Sequence, residues 1–245
     1  MNIARKGAGA IAAIAAATMF TGAAEAGIVD FDYLGNGLGQ RVRFEYGDFV
    51  DRSKTGQREW LTTNDGGGFL QGGHSLRTFS FDIFRSAQDG PYRIDNWDDV
   101  RGDVSGTRIN ATKRAMVEHL FASHYNQVAS GESRRRATAF QVAIWEIVYE
   151  KKGKRFGVGN GKFEVIEIRE NARRLANRWL SDVLEAYQTD TLDEFGQLYA
   201  ALSDEGENQL LVIPAPPAAL LGGAGLLGIA TLRRRRRSNT TDDQM

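Results

Sequence analysis

From Gly27 to Tyr46 the chain alternates apolar and polar positions, as a half-buried strand does. The run Gly27-Ile-Val-Asp-Phe-Asp-Tyr-Leu34 is followed by Gln40 to Tyr46, where Val42, Phe44 and Tyr46 share one face. Gly35-Asn36-Gly37 between the two runs is a turn signal and predicts a hairpin. A third strand is predicted over Leu76 to Phe84. Leu76, Thr78, Ser80, Asp82 and Phe84 face one way, and Phe79, Phe81 and Ile83 the other. Gly66-Gly67-Gly68 and Gly72-Gly73 mark loops around Phe69 and Leu70.

The second half changes period. Ala111, Ala115, Met116, Leu120 and Phe121 recur near helical spacing and predict a helix from Thr107 to about Tyr125. A second helix is predicted from Ser133 to about Glu150. A third runs from Arg169 to about Tyr187, with Leu175, Ala176, Trp179, Val183 and Tyr187 on one apolar face. Gly157 to Gly161 is a loop, and Leu198 to Leu202 and Gln209 to Ile213 return to the sheet. The predicted class is α+β: an antiparallel β-sandwich or barrel with a helical insertion, filling residues 27–211 as one domain.

One polar side chain breaks the helical pattern. On the segment Ala137 to Tyr149, Ala143, Phe140, Ile147, Ile144 and Val148 form an apolar arc, and Gln141 falls inside it, between Val148 and Trp145. A buried amide left unpaired costs on the order of 1–3 kcal/mol, so Gln141 is expected to pin its helix to the backbone of a strand.

The two ends read as addresses. Residues 1–26 carry the parts of a secretory signal: Arg5 and Lys6, an apolar run from Ala8 to Phe20, and the Ala24-Glu25-Ala26 cleavage site. At the other end, residues 212–237 hold Pro214-Ala215-Pro216, a stretch rich in Gly, Ala and Leu from Ala218 to Leu232, and the block Arg233, Arg234, Arg235, Arg236, Arg237. Residues 238–245 are a polar tail. The apolar stretch gives about 22 Å of helix against a membrane core of about 30 Å, and the segment from Val212 to Pro217 can lengthen it. The arginines would hold the tail inside and leave the domain outside.

Lysine plus arginine total 31, as do aspartate plus glutamate, so a basic nucleic-acid binder is excluded as the default. The leader removes Arg5, Lys6 and Glu25, and the tail removes five arginines with Asp242 and Asp243. That leaves 24 positive against 28 negative residues, a mildly acidic body. There are no cysteines, so disulfides, thiolate metal sites and cysteine nucleophiles are excluded.

The tripartite C-terminus resembles the PEP-CTERM sorting signal of Gram-negative bacteria, with Ala215 standing where the best-known form has glutamate. The resemblance implies recognition and cutting by an exosortase, transient residence in the inner membrane, and delivery to the cell surface or extracellular matrix. Members of that family are commonly linked to exopolysaccharide and biofilm production.

The body resembles a thioester-domain family of bacterial surface adhesins, whose Gln-x-Ala-Ile-Trp helix is matched by Gln141-Val142-Ala143-Ile144-Trp145. Many PEP-CTERM proteins carry a helix similar to Phe140 to Tyr149. The family's Thr-Phe-Cys-x-Asp strand looks like Thr78-Phe79-Ser80-Phe81-Asp82. The resemblance places Ser80 where the family has the cysteine that bonds covalently to the glutamine. Without cysteine there is no thioester. An intramolecular Ser80–Gln141 ester is the one covalent variant left open, and the expected state is a hydrogen-bonded relic of the site.

Other chemistry has less behind it. His119 and His124 are five apart, off the spacing of a helical zinc pair, and His74 stands alone. Asp95, Asp98, Asp99 and Asp103 are calcium candidates without an EF-hand pattern, more simply read as a solvated loop. Arg134 to Arg136 form a basic face at a helix start, able to touch acidic polysaccharide. The glycines from 157 to 161 lack a phosphate-loop pattern, and no catalytic motif or cofactor fingerprint is present. The expectation is an exported, exosortase-sorted structural or adhesive protein with no enzymatic activity and no cofactor. The alternative is a secreted carbohydrate- or calcium-binding module using the acidic loop. A third class, a hydrolase of matrix polymer, has no motif behind it.

Overall fold

The computed structural model describes residues 27–64, 70, 72–104, 106–150 and 156–213. The leader, the motif Pro214-Ala215-Pro216 and the arginines Arg233 to Arg237 lie outside the described residues. Among those described, no helix is long and apolar enough to cross a membrane.

The class is α+β, built on a large antiparallel sheet. Its strands are β1 (Gly27–Tyr46), β2 (Phe49–Thr62), β3 (Ser75–Ser80), β4 (Gly90–Asn96), β7 (Phe163–Glu167), β8 (Leu198–Leu202) and β9 (Gln209–Val212). A 3-10 turn at Trp97–Asp99 and a small hairpin of β5 (Gly102–Val104) and β6 (Thr107–Ile109) lead into the helices. These are α1 (Ala111–His124), α2 (Asn126–Ala129), α3 (Arg134–Tyr149) and α4 (Glu170–Gln188).

The pairings β1–β2, β2–β3, β3–β9, β9–β8, β8–β4 and β4–β1 return to their starting strand, so six strands close a ring. Closure removes most of the open edge that a sheet would otherwise present. One core of Val29, Phe31, Trp60, Tyr92, Ile94, Ala201 and Leu211 lies on one face of the ring, with Phe31 stacked on Tyr92 at 4.9 Å. The larger core lies on the other face, where Val42, Phe44, Phe79, Phe81, Ala200 and Leu210 meet α1, α3 and α4.

Several sequence expectations change. The hairpin is not at Gly35-Asn36-Gly37, because β1 runs on through that segment with register shifts between Tyr33 and Gly35 and between Asn36 and Gly39. Gly39 and Gly56 let the two strands approach closely: a Cβ on Gly39 would sit 2.4 Å from the Thr55 carbonyl oxygen, and one on Gly56 would sit 2.2 Å from that of Leu38. The reversal comes at Gly47-Asp48, where Gly47 adopts φ +61°, open to glycine at little cost. β3 stops at Ser80, four residues before the expected end. The Ser80 hydroxyl accepts the Asp82 N–H (2.9 Å) and the Asp82 carboxylate accepts the Phe84 N–H (2.8 Å), so local turns replace the ladder.

The first helix starts at Ala111 rather than Thr107, capped by the Asn110 carboxamide on the Lys113 N–H at 3.0 Å, and Thr107 to Ile109 form a strand. The second and third helices sit within a residue of their expected bounds. In α4, Ala176, Trp179 and Val183 are buried as expected, but Tyr187 is 39% exposed and falls off the apolar face. Both predicted return strands are present. β9 takes in Val212, and the Ile213 N–H donates to the Gln197 carbonyl at 3.1 Å, so the folded domain includes both residues.

Candidate functional site

Every residue of α3 from Ala137 to Tyr149 is buried, so this helix is the central rod of the larger core rather than a surface helix. Ser133 caps its start by accepting the Arg136 N–H at 3.3 Å. Small residues at 137, 139 and 143 let it lie close to the sheet. In this setting Gln141 is fully buried.

Its amide meets the end of β3. The Ser80 N–H donates to Gln141 Oε1 at 3.0 Å, and Gln141 Nε2 donates back to the Ser80 carbonyl. The register explains the fit. Phe79 and Phe81 turn their main-chain groups toward β9, so Ser80 turns its own toward β2, whose pairing with β3 ends at Gln57 opposite Phe79. The carboxamide supplies one donor and one acceptor where the neighbouring strand gives out. Two turns further along α3, the Tyr149 hydroxyl donates to the Phe81 carbonyl at 3.2 Å and accepts the Ile83 N–H at 3.3 Å. The helix thus holds residues 80–83 at both ends.

The Ser80 hydroxyl is turned elsewhere. It donates to the Asp82 carbonyl (2.8 Å), lies 3.3 Å from the Asn208 carbonyl, and accepts the Asp82 N–H. Beside it stands Glu207, buried and held on both carboxylate oxygens by Arg58 at 3.0 Å each. Burial pushes the Glu207 carboxyl up, while the Arg58 charge and hydrogen bonds, and the Ser80 hydroxyl, act against it. A carboxylate clamped in this way is no free base, and no histidine is among the hydrogen-bond partners of Ser80. Arg58, Glu207, Asp82 and Trp145 also line a cleft of about 220 Å³, and the Trp145 indole N–H has no partner among the described residues.

The remaining candidates are scattered. Asp95 pairs with Arg93, Asp98 and Asp99 sit in the 3-10 turn, and Asp103 lies in β5. Among the described residues no group of three or more His, Asp or Glu is placed to hold a metal ion, so the four calcium candidates do not converge on one site. His74 is exposed. His119 Nδ1 accepts the Asp193 N–H at 2.9 Å, and His124 stacks on Trp179 at 4.9 Å. Arg136 reaches back to the Gln127 carbonyl, while Arg134 and Arg135 remain exposed.

The glycine loop from 157 serves α3. The Gly157 N–H donates to Glu146 Oε1 at 2.9 Å, and Glu146 Oε2 has no hydrogen-bond partner among the described residues. Burial pushes the Glu146 carboxyl up to about 8, opposed by the Gly157 N–H and helped by nearby Glu150. A group raised in the fold binds a proton there that the unfolded chain has released. Stability therefore falls as pH rises from about 4.5 to about 8. Glu146→Gln keeps the acceptor for Gly157 and removes the titration. At about pH 8 the variant is expected to be more stable than the parent, by on the order of 3 kcal/mol. Urea unfolding across the window is the check, and a slope unchanged by the substitution would assign the pH dependence to another group.

Sequence reasoning missed the Arg58–Glu207 pair, which joins positions 149 apart, and it missed the facing of Arg41 with Lys54 across β1 and β2. The only signal for the latter was two alternating basic pairs, Arg41 with Arg43 and Arg52 with Lys54, in neighbouring strands. Comparison with protein-family models, with curated proteins and with solved structures finds no match to this chain.

Proposed function

We propose that this chain is an exported, surface- or matrix-sorted protein with a structural or adhesive role and no enzymatic activity. The observation that carries the reading is the order of three elements at one end: Pro214-Ala215-Pro216, the apolar stretch to Leu232, and five arginines. A leader at the other end, with Arg5 and Lys6, the apolar run to Phe20 and the Ala24-Glu25-Ala26 site, fits the same route. In this reading an exosortase is the processing partner, the inner membrane holds the chain transiently, and the Ser80–Gln141 junction is a silent keystone of the domain. Its support is the direction of the Ser80 hydroxyl, which is engaged with backbone carbonyls, while among the described residues the Gln141 amide bonds to the Ser80 main chain alone.

An intact mass of the protein recovered from its host's surface or medium tests both parts. The expected species begins at Gly27, ends near Pro214 and carries no deficit. A mass running on to Met245 would sink the sorting reading. Loss of one ammonia, mapped to peptides holding Ser80 and Gln141, would replace the hydrogen-bonded junction with an ester.

A further inference from the structure

On the outer face of the β1–β2 hairpin, two pairs of like charges stand directly opposite one another: Arg41 against Lys54, and Arg43 against Arg52. Like charges in this position destabilise a sheet. The second pair has a remedy within the chain. Glu167 of β7 lies alongside, accepting from Arg43 at 3.4 Å and from Arg52. Hydrogen bonds from Arg52, and then from Arg43, hold the Glu167 carboxyl below its ordinary range.

The first pair has no such remedy. Arg41 and Lys54 line a concavity of about 450 Å³ together with Arg134 and Arg169, and among the described residues no acid joins the lining. Among the described residues none of these four cations makes an ion pair. Two of them also sit against local electrostatics. Arg134 is the first residue of α3 and Arg169 caps α4, so both add positive charge where helices present their positive dipole ends. Glu170, the nearest acid at that end of α4, is turned to Arg173 and Arg174 at 3.9 Å. Four side chains from β1, β2, α3 and α4 thus crowd like charge into one hollow of a body whose net charge is negative. Among the described residues the one side-chain hydrogen bond from these four runs from Lys54 Nζ to the exposed Asn36 carbonyl at 3.3 Å.

We propose that this groove is a binding site for carboxylate groups of an acidic polysaccharide, with Arg41 and Lys54 clamping one carboxylate as Arg43 and Arg52 clamp Glu167. The carboxylate chemistry rests on that internal template, since guanidinium groups favour planar, forked anions. The hollow's size matches a chain segment better than a lone ion, at the scale of ordinary ligand sites of about 300–1,000 Å³. The choice of polysaccharide as carrier rests on the surface-and-matrix reading above.

The test uses the full chain in a non-ionic detergent, with polygalacturonate as the probe and neutral dextran, polyglutamate, single-stranded RNA and anionic vesicles as comparisons. The expected result is binding to polygalacturonate in preference to all four, weakening steeply as salt is raised to about 0.5 M. Arg41→Glu turns the like pair into an opposite pair, so polymer affinity falls about tenfold or more while the melting temperature holds or rises. Arg134→Gln with Arg169→Gln gives a second loss that leaves β1 and β2 untouched. Arg93→Glu, on β4, leaves binding unchanged. Equal binding to dextran, an affinity untouched by Arg41→Glu, or a preference for polyglutamate, RNA or vesicles would each overturn the assignment. Failure here leaves the sorting reading standing, because that reading is decided by the intact mass.

Discussion

Gln141→Leu is expected to lower the free energy of unfolding by about 3–5 kcal/mol, because it strands the Ser80 N–H and C=O together in a dry core. Both groups are served by one carboxamide, and β2 no longer pairs at that point. Gln141→Glu separates the two bonds. A carboxylate still accepts the Ser80 N–H but faces the Ser80 carbonyl with a lone pair, whereas a protonated carboxyl can donate to it. The variant is therefore expected to be strongly destabilised at about pH 8 and to recover toward about pH 5. The sign follows from linkage, since the buried acid binds a proton in the fold that the unfolded chain releases. Denaturant unfolding of both variants at the two pH values, referred to the parent under each condition, reads this directly. A Gln141→Leu cost below about 1 kcal/mol would mean that the helix does not depend on this bond.

The second large effect is expected at Arg58. Its guanidinium holds both oxygens of Glu207 and also donates to Asn36 Oδ1 at 2.8 Å and to the Lys54 carbonyl at 2.9 Å. Arg58→Met leaves a carboxylate buried with no counter-charge, which typically costs about 3–5 kcal/mol. The loss should deepen as pH rises, because burial favours the protonated form of Glu207 once the arginine is gone. Removing both partners, as Arg58→Met with Glu207→Leu, should recover most of the stability, since an apolar pair no longer needs desolvated charge. If the double variant is as weak as the single one, the pair's value lies in its bonds to Asn36 and Lys54 rather than in its charge.

These two sites differ in how far the linear chain announced them. Gln141 was legible because helical spacing is a local property: an amide inside an apolar arc has to be buried wherever the helix packs. Its partner at Ser80 was reached through resemblance of short motifs, and spacing alone did not supply it. Arg58 was invisible, since nothing near it in the chain distinguishes a strand arginine that meets a glutamate 149 positions away from one that meets water.

The same division runs through the fold. Local period, caps and small-residue runs were enough to place α3, α4, β8 and β9 and to set the α+β class, because each depends on neighbours three, four or two positions away. The direction of β1 past Gly35 was not legible, since glycine signals a turn and a close approach of strands alike. Nor was the closure of six strands into a ring, which is a matter of which edges meet. Register is the deepest of these non-local quantities. It sets Arg41 against Lys54 and Arg43 against Arg52, provides Glu167 for the second pair, and leaves the first to face the groove. Residue types along the chain specify the charges and the rods and strands that carry them. Pairing between distant segments, governed by packing and backbone hydrogen bonds, chooses which charges meet.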